Sequence, residues 1–315
     1  MALRLPDHWV WDSWTAEEGE RKHLFFLRAS RALLDPELRH RRASIGHAVS
    51  ADWRSWTLLP DALVPAEPDA WDDLATWTGS VVRDGEGWRM FYTGVGRADH
   101  GLVQRIGSAV SDDLVTWHRD RAMPVLEADP RWYERLDPGS WTDEAWRDPH
   151  VFRDPGGDGW HMLVTARAKL GPADGRGVIG HARSPDLRHW EAGPPLSAPA
   201  GFGHLEVPQV RRVCGRTVLV FSCRPREMAP EHPLARADPP PGVWTAPAAG
   251  PTGPFDIAGA RPLRAGSLYA GRLIVEPDGG PALLGFRDME DGRFVGEIAD
   301  PVPVFLDGDL LTTGR

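Results

Sequence analysis

Cysteine is almost missing from this 315-residue chain. Cys214 and Cys223 are the only two, too few for a disulfide framework or a zinc knuckle. Lysine is equally scarce, with Lys22 and Lys169 alone among 36 basic residues. Against 45 acidic residues the net charge is −9, which speaks against a nucleic-acid partner tracked through phosphates. No window approaches 18 uninterrupted apolar residues, so no membrane span is expected. Met1 to Asp7 carries no apolar run of a secretory signal. The expectation is a cytoplasmic protein. Phosphate loops, dinucleotide glycine motifs, a Gly-x-Ser-x-Gly elbow and His/Cys/Asp groups at metal-ligand spacing are also lacking. The chemistry is therefore expected to use no cofactor and no metal.

What is present points to strands. A hydrophobic share of 41% with 26% charged residues suits a globular chain with a substantial core. Thirty-four glycines and 30 prolines punctuate it more densely than a helical bundle would tolerate, and 15 tryptophans supply flat apolar faces. One motif, Gly-x-Ala-x-Ser-x-Asp-[Leu/Trp]-x-x-Trp, occurs three times, starting at Gly46, Gly107 and Gly180. Apolar, aromatic-rich runs of eight residues start at His23, Trp88, Trp160, Thr217 and Pro281, spaced 57–72 residues apart. Five strand-rich units of similar period predict an all-β radial repeat, a five-bladed β-propeller filling residues 1–315 as one domain. The Ser-x-Asp…Trp segments then read as turns into outer strands, aspartate bonding local amides and tryptophan covering the blade. Pro230 to Pro254 reads as a long loop within the fourth blade.

In a propeller the innermost strand of each blade lines the central channel, so equivalent residues converge on one mouth. Counting back 11 or 12 residues from each apolar run gives Asp12, Trp77, Asp148, Glu206 and Tyr269. Three carboxylates at matching positions crowd like charge, which packing alone does not require. A site explains them. Asp12 sits in Trp11-Asp12-Ser13-Trp14, Asp148 in Trp146-Arg147-Asp148-Pro149, and Glu206 in His204-Leu205-Glu206-Val207-Pro208. Trp11, Trp77 and Trp146 could floor a sugar site. His204 could tune Glu206 or touch substrate, and Tyr269 and Arg272 are candidate wall residues.

Trp11-Asp12-Ser13-Trp14, Trp77-Thr78-Gly79-Ser80, Phe91-Tyr92-Thr93-Gly94, Arg147-Asp148-Pro149 and Glu206-x-Pro208 together resemble, in order, the motifs of glycoside hydrolase families 32 and 68. These are the invertase and levansucrase clan, five-bladed propellers acting on β-fructofuranosides. The Trp-Asp-Ser-Trp form is more similar to levansucrases. The resemblance implies Asp12 as nucleophile, Asp148 as transition-state stabiliser and Glu206 as acid/base. It also draws Ser80 and Arg147 into the sugar site. No C-terminal β-sandwich of the invertase kind is expected within the chain.

Elementary chemistry leads to the same division. Glycoside cleavage needs a carboxylic acid to protonate the leaving oxygen and a carboxylate to attack or to activate water. A third carboxylate can hold ring hydroxyls as positive charge develops. Arg147 is expected to keep Asp148 ionised, and Glu206, between Leu205 and Val207, to have the raised pKa. The leading expectation is a retaining glycosidase or transglycosidase taking a small carbohydrate of the β-fructofuranoside type. An inverting arabinofuranosidase or xylosidase, and a sugar-binding or biosynthetic propeller that has lost hydrolysis, are the alternatives. Oligomeric state is left open by the sequence.

Overall fold

The structure is a computed structural model and describes residues 2–137, 140–238 and 242–314. Five antiparallel sheets surround a central channel, each running outward in chain order. Blade 1 comprises His8–Glu18, Arg21–Ser30, Ser44–Ser50 and Thr57–Leu63. Blade 2 comprises Ala75–Asp84, Gly87–Val95, Gln104–Ser111 and His118–Arg119. Trp146–Arg153, Trp160–Arg167, Gly177–Ser184 and Glu191–Gly193 form blade 3. Glu206–Val213, Arg216–Ser222, Val243–Pro247 and Arg261–Pro262 form blade 4. Blade 5 is built on Leu268–Val275, Pro281–Glu290 and Arg293–Ile298, with Val302–Pro303 also pairing its second strand. The five apolar runs are the second strands, buried on both faces between neighbouring blades.

The threefold motif forms the turn from third to fourth strand. Ser50, Ser111 and Ser184 each end a third strand. Two residues on, Asp52, Asp113 and Asp186 each accept backbone N–H bonds at 2.7–2.9 Å from the residues two and three further along. The residue after each aspartate, Trp53, Leu114 or Leu187, has a left-handed backbone with φ 61–67°, which the aspartate bonds hold in place. Trp117 and Trp190 close the turn by donating to the Leu114 and Leu187 carbonyls. The motif glycine is a packing requirement. A Cβ at Gly46 would come 2.4 Å from the Phe26 ring, and one at Gly180 would come 2.6 Å from Val164 Cγ2.

Apolar packing lies between blades, not along the channel: one cluster joins blades 5, 1 and 2, and three others join 2 to 3, 3 to 4 and 4 to 5. The ring closes through Leu3, whose backbone exchanges hydrogen bonds of 2.9 and 3.2 Å with Ile298 on the edge of blade 5. The Pro230–Pro254 stretch is not loop throughout. It contains Val243–Pro247, the third strand of blade 4, paired in register with Val218–Ser222; residues 239–241 of the stretch lie outside the described residues. Trp244 carries that strand by burying its indole against Phe202 and Phe221, a signal the surrounding prolines concealed. Among the described residues no helix is long and apolar enough to cross a membrane.

Candidate active site

All five inner strands break register against their partners at the same height. The slips fall between Trp11 and Ser13, Trp77 and Gly79, Arg147 and His150, Glu206 and Gln209, and Tyr269 and Arg272. A bulge bends its strand and re-aims side chains. Four of the bulged residues are not glycine yet have positive φ: Asp12 (28°), Asp148 (58°), Val207 (53°) and Ala270 (49°). Such backbone costs energy and collects at functional sites.

The bulges sort the mouth into two rows. Trp11, Trp77, Arg147, Glu206 and Tyr269 are the last paired residues before each slip; Asp12, Thr78, Asp148, Val207 and Ala270 follow them. The sequence count merged these rows, because its offset alternated between 11 and 12. Asp12 and Asp148 are equivalent; Glu206 is equivalent to Arg147 instead.

The three carboxylates lie together at the mouth, close enough for their charges to act on one another. Asp12 accepts from the Thr78 hydroxyl at 2.8 Å. Asp148 accepts from Thr165 Oγ1 at 2.7 Å and from the Val207 N–H at 3.1 Å, while its own N–H donates to Thr93 Oγ1 at 3.0 Å. Glu206 accepts from Arg147 Nη2 at 2.7 Å and from the Tyr269 hydroxyl. Burial pushes Asp12 up to about 7, with the charges of Asp148 and Glu206 adding to it. Burial also raises Asp148, and Arg147 offsets only part of the rise. Burial works against Glu206 as a carboxylate too, but His204, Arg147 and Arg224 outweigh it and hold it below the ordinary range.

Two expectations are corrected here. Arg147 hydrogen-bonds Glu206 and forms only a longer ion pair with Asp148, its Nε 3.6 Å away, which lowers the Asp148 carboxyl without overcoming burial. The raised carboxyls are Asp12 and Asp148, and Glu206 is lowered. Leu205 and Val207 lie in the apolar clusters, whereas the Glu206 side chain between them meets cations. An apolar neighbour in sequence is not an apolar neighbour in space.

The other candidates divide. Trp77 is half-buried at the mouth, its indole donating to the His40 carbonyl at 2.7 Å. Trp11 packs edge-on against the His40 ring at 6.0 Å. His204 Nε2 donates to Glu227 Oε2, 3.1 Å away, and stands 3.6 Å from Glu206. Burial pulls its imidazole down, and Glu206 and Glu227 pull harder, leaving it above its ordinary value. Arg272 is buried lower in the channel, donating to the Ser13 and Pro208 carbonyls at 3.2 and 3.1 Å; burial lowers it to about 10 against the pull of Asp148 and Asp12. Ser80 stitches blades, accepting from the Val151 N–H at 3.1 Å. Trp146 is a correction: its indole is fully buried in the core against Tyr133, 4.7 Å between ring centroids, and so does not floor the site.

Several participants escaped the sequence reading. Thr93 and Thr165 occupy matching second-strand positions opposite Trp77 and Arg147, where their hydroxyls fill the gap each bulge opens. Arg224 follows the second strand of blade 4, forks onto Asp288 at 2.8 and 3.1 Å and lies over the Tyr269 ring at 4.1 Å. Its signal was topological, since the loop after each second strand returns to the mouth. Arg224, Tyr269 and Asp288 line a cavity of about 420 Å³. A larger one, about 770 Å³, lies by Cys214 and the C-terminal strands and contains none of these groups.

Donor atoms of His204, Cys223 and Glu227 lie within 4.8 Å of one another. They fit a cation poorly, because Arg147 faces His204 Nδ1 at 3.3 Å and Arg224 faces Glu227 at 3.4 Å. Cys214 and Cys223 are both free thiols.

Known proteins share this frame. The chain is 35% identical over 133 residues to a levanase of Bacillus sp. (strain L7), covering 38% of the chain and 13% of the levanase. It is 31% identical over 193 residues to an insoluble β-fructofuranosidase isoenzyme of Arabidopsis thaliana, covering 59% of the chain and 32% of that enzyme. The chain thus spans a third or less of these curated relatives. An inulosucrase from Halalkalicoccus jeotgali bound to kestose superposes with a TM-score of 0.78 at 24% identity, covering 98% of this chain and 87% of that one, which establishes a common fold. Residues 23–290 match the N-terminal domain of glycosyl hydrolases family 32, and the chain belongs to that family.

Proposed function

We propose that the protein is a retaining glycosidase or transglycosidase acting on β-fructofuranosides. The observation that carries this reading is the convergence of Asp12, Asp148 and Glu206 at the mouth of a family 32 propeller, close enough for their charges to act on one another. Asp12 attacks the anomeric carbon, Glu206 gives its proton to the departing oxygen, and Asp148, fixed by Thr165 and the Val207 amide, accepts from ring hydroxyls as positive charge develops.

Burial and like charge favour a proton on Asp12 over one on Glu206, whereas this reaction consumes a proton from Glu206. Moving that proton to Glu206 leaves the net charge of the pocket unchanged. The limbs of a pH–rate profile therefore belong to the group of carboxylates, not to single residues. Arg147 and Tyr269 bond the oxygens of Glu206 that must face the leaving group, so substrate has to take over part of that bonding.

A cytoplasmic location belongs to this reading and rests on the unpaired Cys214 and Cys223; cell fractionation tests it. The reaction is tested with sucrose, inulin, levan and aryl arabinofuranosides, following the first-formed anomer by NMR. Retention on a fructofuranoside supports the assignment. Inversion, or turnover of arabinosides alone, would transfer the protein to the inverting alternative.

A further inference from the structure

The connection between the second and third strands of blade 1 carries a 3₁₀ turn, Pro36–Arg42, at the mouth side of the ring. Its start is capped by Asp35, whose side chain accepts from the Glu37 N–H at 2.9 Å, with Pro36 in the first position. Arg39 is buried beneath it, donating to the Pro36 carbonyl at 2.8 Å and lying 5.5 Å from the Trp11 ring. The turn is anchored from the inner strand of blade 2 as well, by the Trp77 indole on the His40 carbonyl. His40 is therefore fixed on both sides.

Its imidazole stands between two indoles, 6.0 Å from Trp11 and 6.3 Å from Trp77, edge-on to both at 76°. Among the described residues no group hydrogen-bonds the His40 ring nitrogens. Glu206, Arg147 and Arg224 are close enough for their charges to act on it. Burial, with the Arg39 charge adding, lowers it to about 3, so the ring is neutral and offers one donor and one acceptor. A polar ring beside the mouth carboxylates, without a partner among the described residues, is free to bond a ligand hydroxyl.

We propose that His40 hydrogen-bonds a hydroxyl of the furanosyl ring held beside Trp11 and Trp77, and so selects which furanoside the site accepts. The assignment rests on the fructofuranoside reading above only for the identity of the sugar. The ligand class is a neutral polyol ring, since a neutral imidazole gives one hydrogen bond from one ring nitrogen or takes one at the other, and a hydroxyl can serve as either partner.

The test is a cycle between His40→Phe and sucrose analogues deoxygenated singly at each fructosyl hydroxyl. Phenylalanine keeps the ring contacts with both indoles and removes the polar atoms; His40→Gln restores an amide donor and acceptor. On intact sucrose, His40→Phe is expected to lose roughly 10–100-fold in kcat/KM, the scale of one buried partner left unpaired. On one deoxy analogue the same variant should lose nothing further, and His40→Gln should recover part of the loss. Equal losses on every analogue, or a fall in thermal stability that tracks the fall in activity, overturn the proposal. Tryptophan fluorescence of the Glu206→Gln protein titrated with free fructose, arabinose and xylose separates this from the larger reading. A sugar bound through His40 without turnover of any fructofuranoside keeps His40 and sinks the reaction; turnover without coupling to any hydroxyl sinks His40 alone.

Discussion

At the base of blades 1 to 3, Asp52, Asp113 and Asp186 each accept two backbone N–H bonds and two side-chain bonds, from two hydroxyls or, at Asp186, a hydroxyl and an imidazole, at the solvent edge. At the mouth, Asp12 accepts one threonine hydroxyl and lies enclosed with two more carboxylates. The same side chain is thus pushed in opposite directions. Backbone amides of the turn lower Asp52 and Asp113, and the His189 ring and amide lower Asp186. Burial and like charge raise Asp12 to about 7. An aspartate repeated for structure is satisfied by its own turn. An aspartate repeated for chemistry is left partly unsatisfied, and the neighbouring blades bear the cost.

If that contrast holds, mutations at the two ends should separate activity from stability. The largest effect is expected at Asp12. Asp12→Asn removes the attacking oxygen and should lower kcat by at least about 10⁴-fold, while thermal stability stays level or rises because repulsion from Asp148 and Glu206 is relieved. Steady-state kinetics beside a thermal melt checks both halves. A melt lowered in step with activity would place Asp12 among the structural aspartates.

Glu206 comes next. Glu206→Ala should lose about 10²–10⁴-fold on sucrose but much less on a fructosyl fluoride or nitrophenyl fructoside, whose leaving groups need no proton. Azide should then accelerate turnover by capturing the fructosyl-enzyme. Equal losses on both kinds of donor, with no azide effect, would deny Glu206 the acid/base role.

How far the sequence could be read follows from the same contrast. The strand repeats and Asp turns were legible because each is a local device: an apolar run of set length, or an aspartate bonding amides two and three residues away. The inner strands were also found, and with them Asp12, Asp148 and Glu206; Glu227 and Asp288, which come from other elements, were not. Which residues share a row was not legible, since each bulge inserts a residue without any composition mark. The electrostatics were misread at Glu206 because His204, two residues before it, is held charged by Glu227, and its other cations come from blade 3 and from the loop after the second strand of its own blade. Trp146 was misplaced for the converse reason: one residue from Arg147, it points into the core. His40 and Arg224 sit on mouth-side loops whose sequence carries no repeat.

A further difference between blades bears on acid stability. Blades 1 and 3 each bury a histidine pair, His23 with His47 at 3.0 Å and His161 with His181 at 2.9 Å. In blade 3 the pair is anchored by Asp154 at 2.8 Å from His161 Nε2; in blade 1, His23 Nε2 and His47 Nδ1 are buried without partners. Burial, then the partner ring, lowers His47 to about 3 and His181 to about 4 from an ordinary 6.5. Both folded values lie below the unfolded one. Their contribution is complete above pH 6.5 and is lost as pH falls from there towards 3–4, a change of a few kcal/mol at most. Urea unfolding at stepped pH should show this decline, and His47→Gln should flatten it more than the same change at His181, whose pair retains an anion. A stability curve unaffected by either variant would remove the pairs from the acid response.

The smallest expected effect sharpens the opening contrast most directly. Asp113 holds the blade 2 turn through the Val115 and Thr116 amides at 2.8 and 2.7 Å, and these bonds permit the positive φ of Leu114. Asp113→Ala leaves both amides to solvent and the left-handed leucine unsupported, a loss of about 1–2 kcal/mol, comparable to removing a helix cap. Asp113→Asn keeps an accepting oxygen and should lose only part of that. Neither change reaches the mouth, which lies at the other end of the strands, so kcat and KM of the folded enzyme should equal those of the unaltered protein. Denaturant midpoints give the stability, and kinetics at low temperature, where all variants are folded, give the rest. Should Asp113→Ala alter KM or kcat under those conditions, the base and the mouth are mechanically coupled, and the division of aspartates into two independent kinds fails.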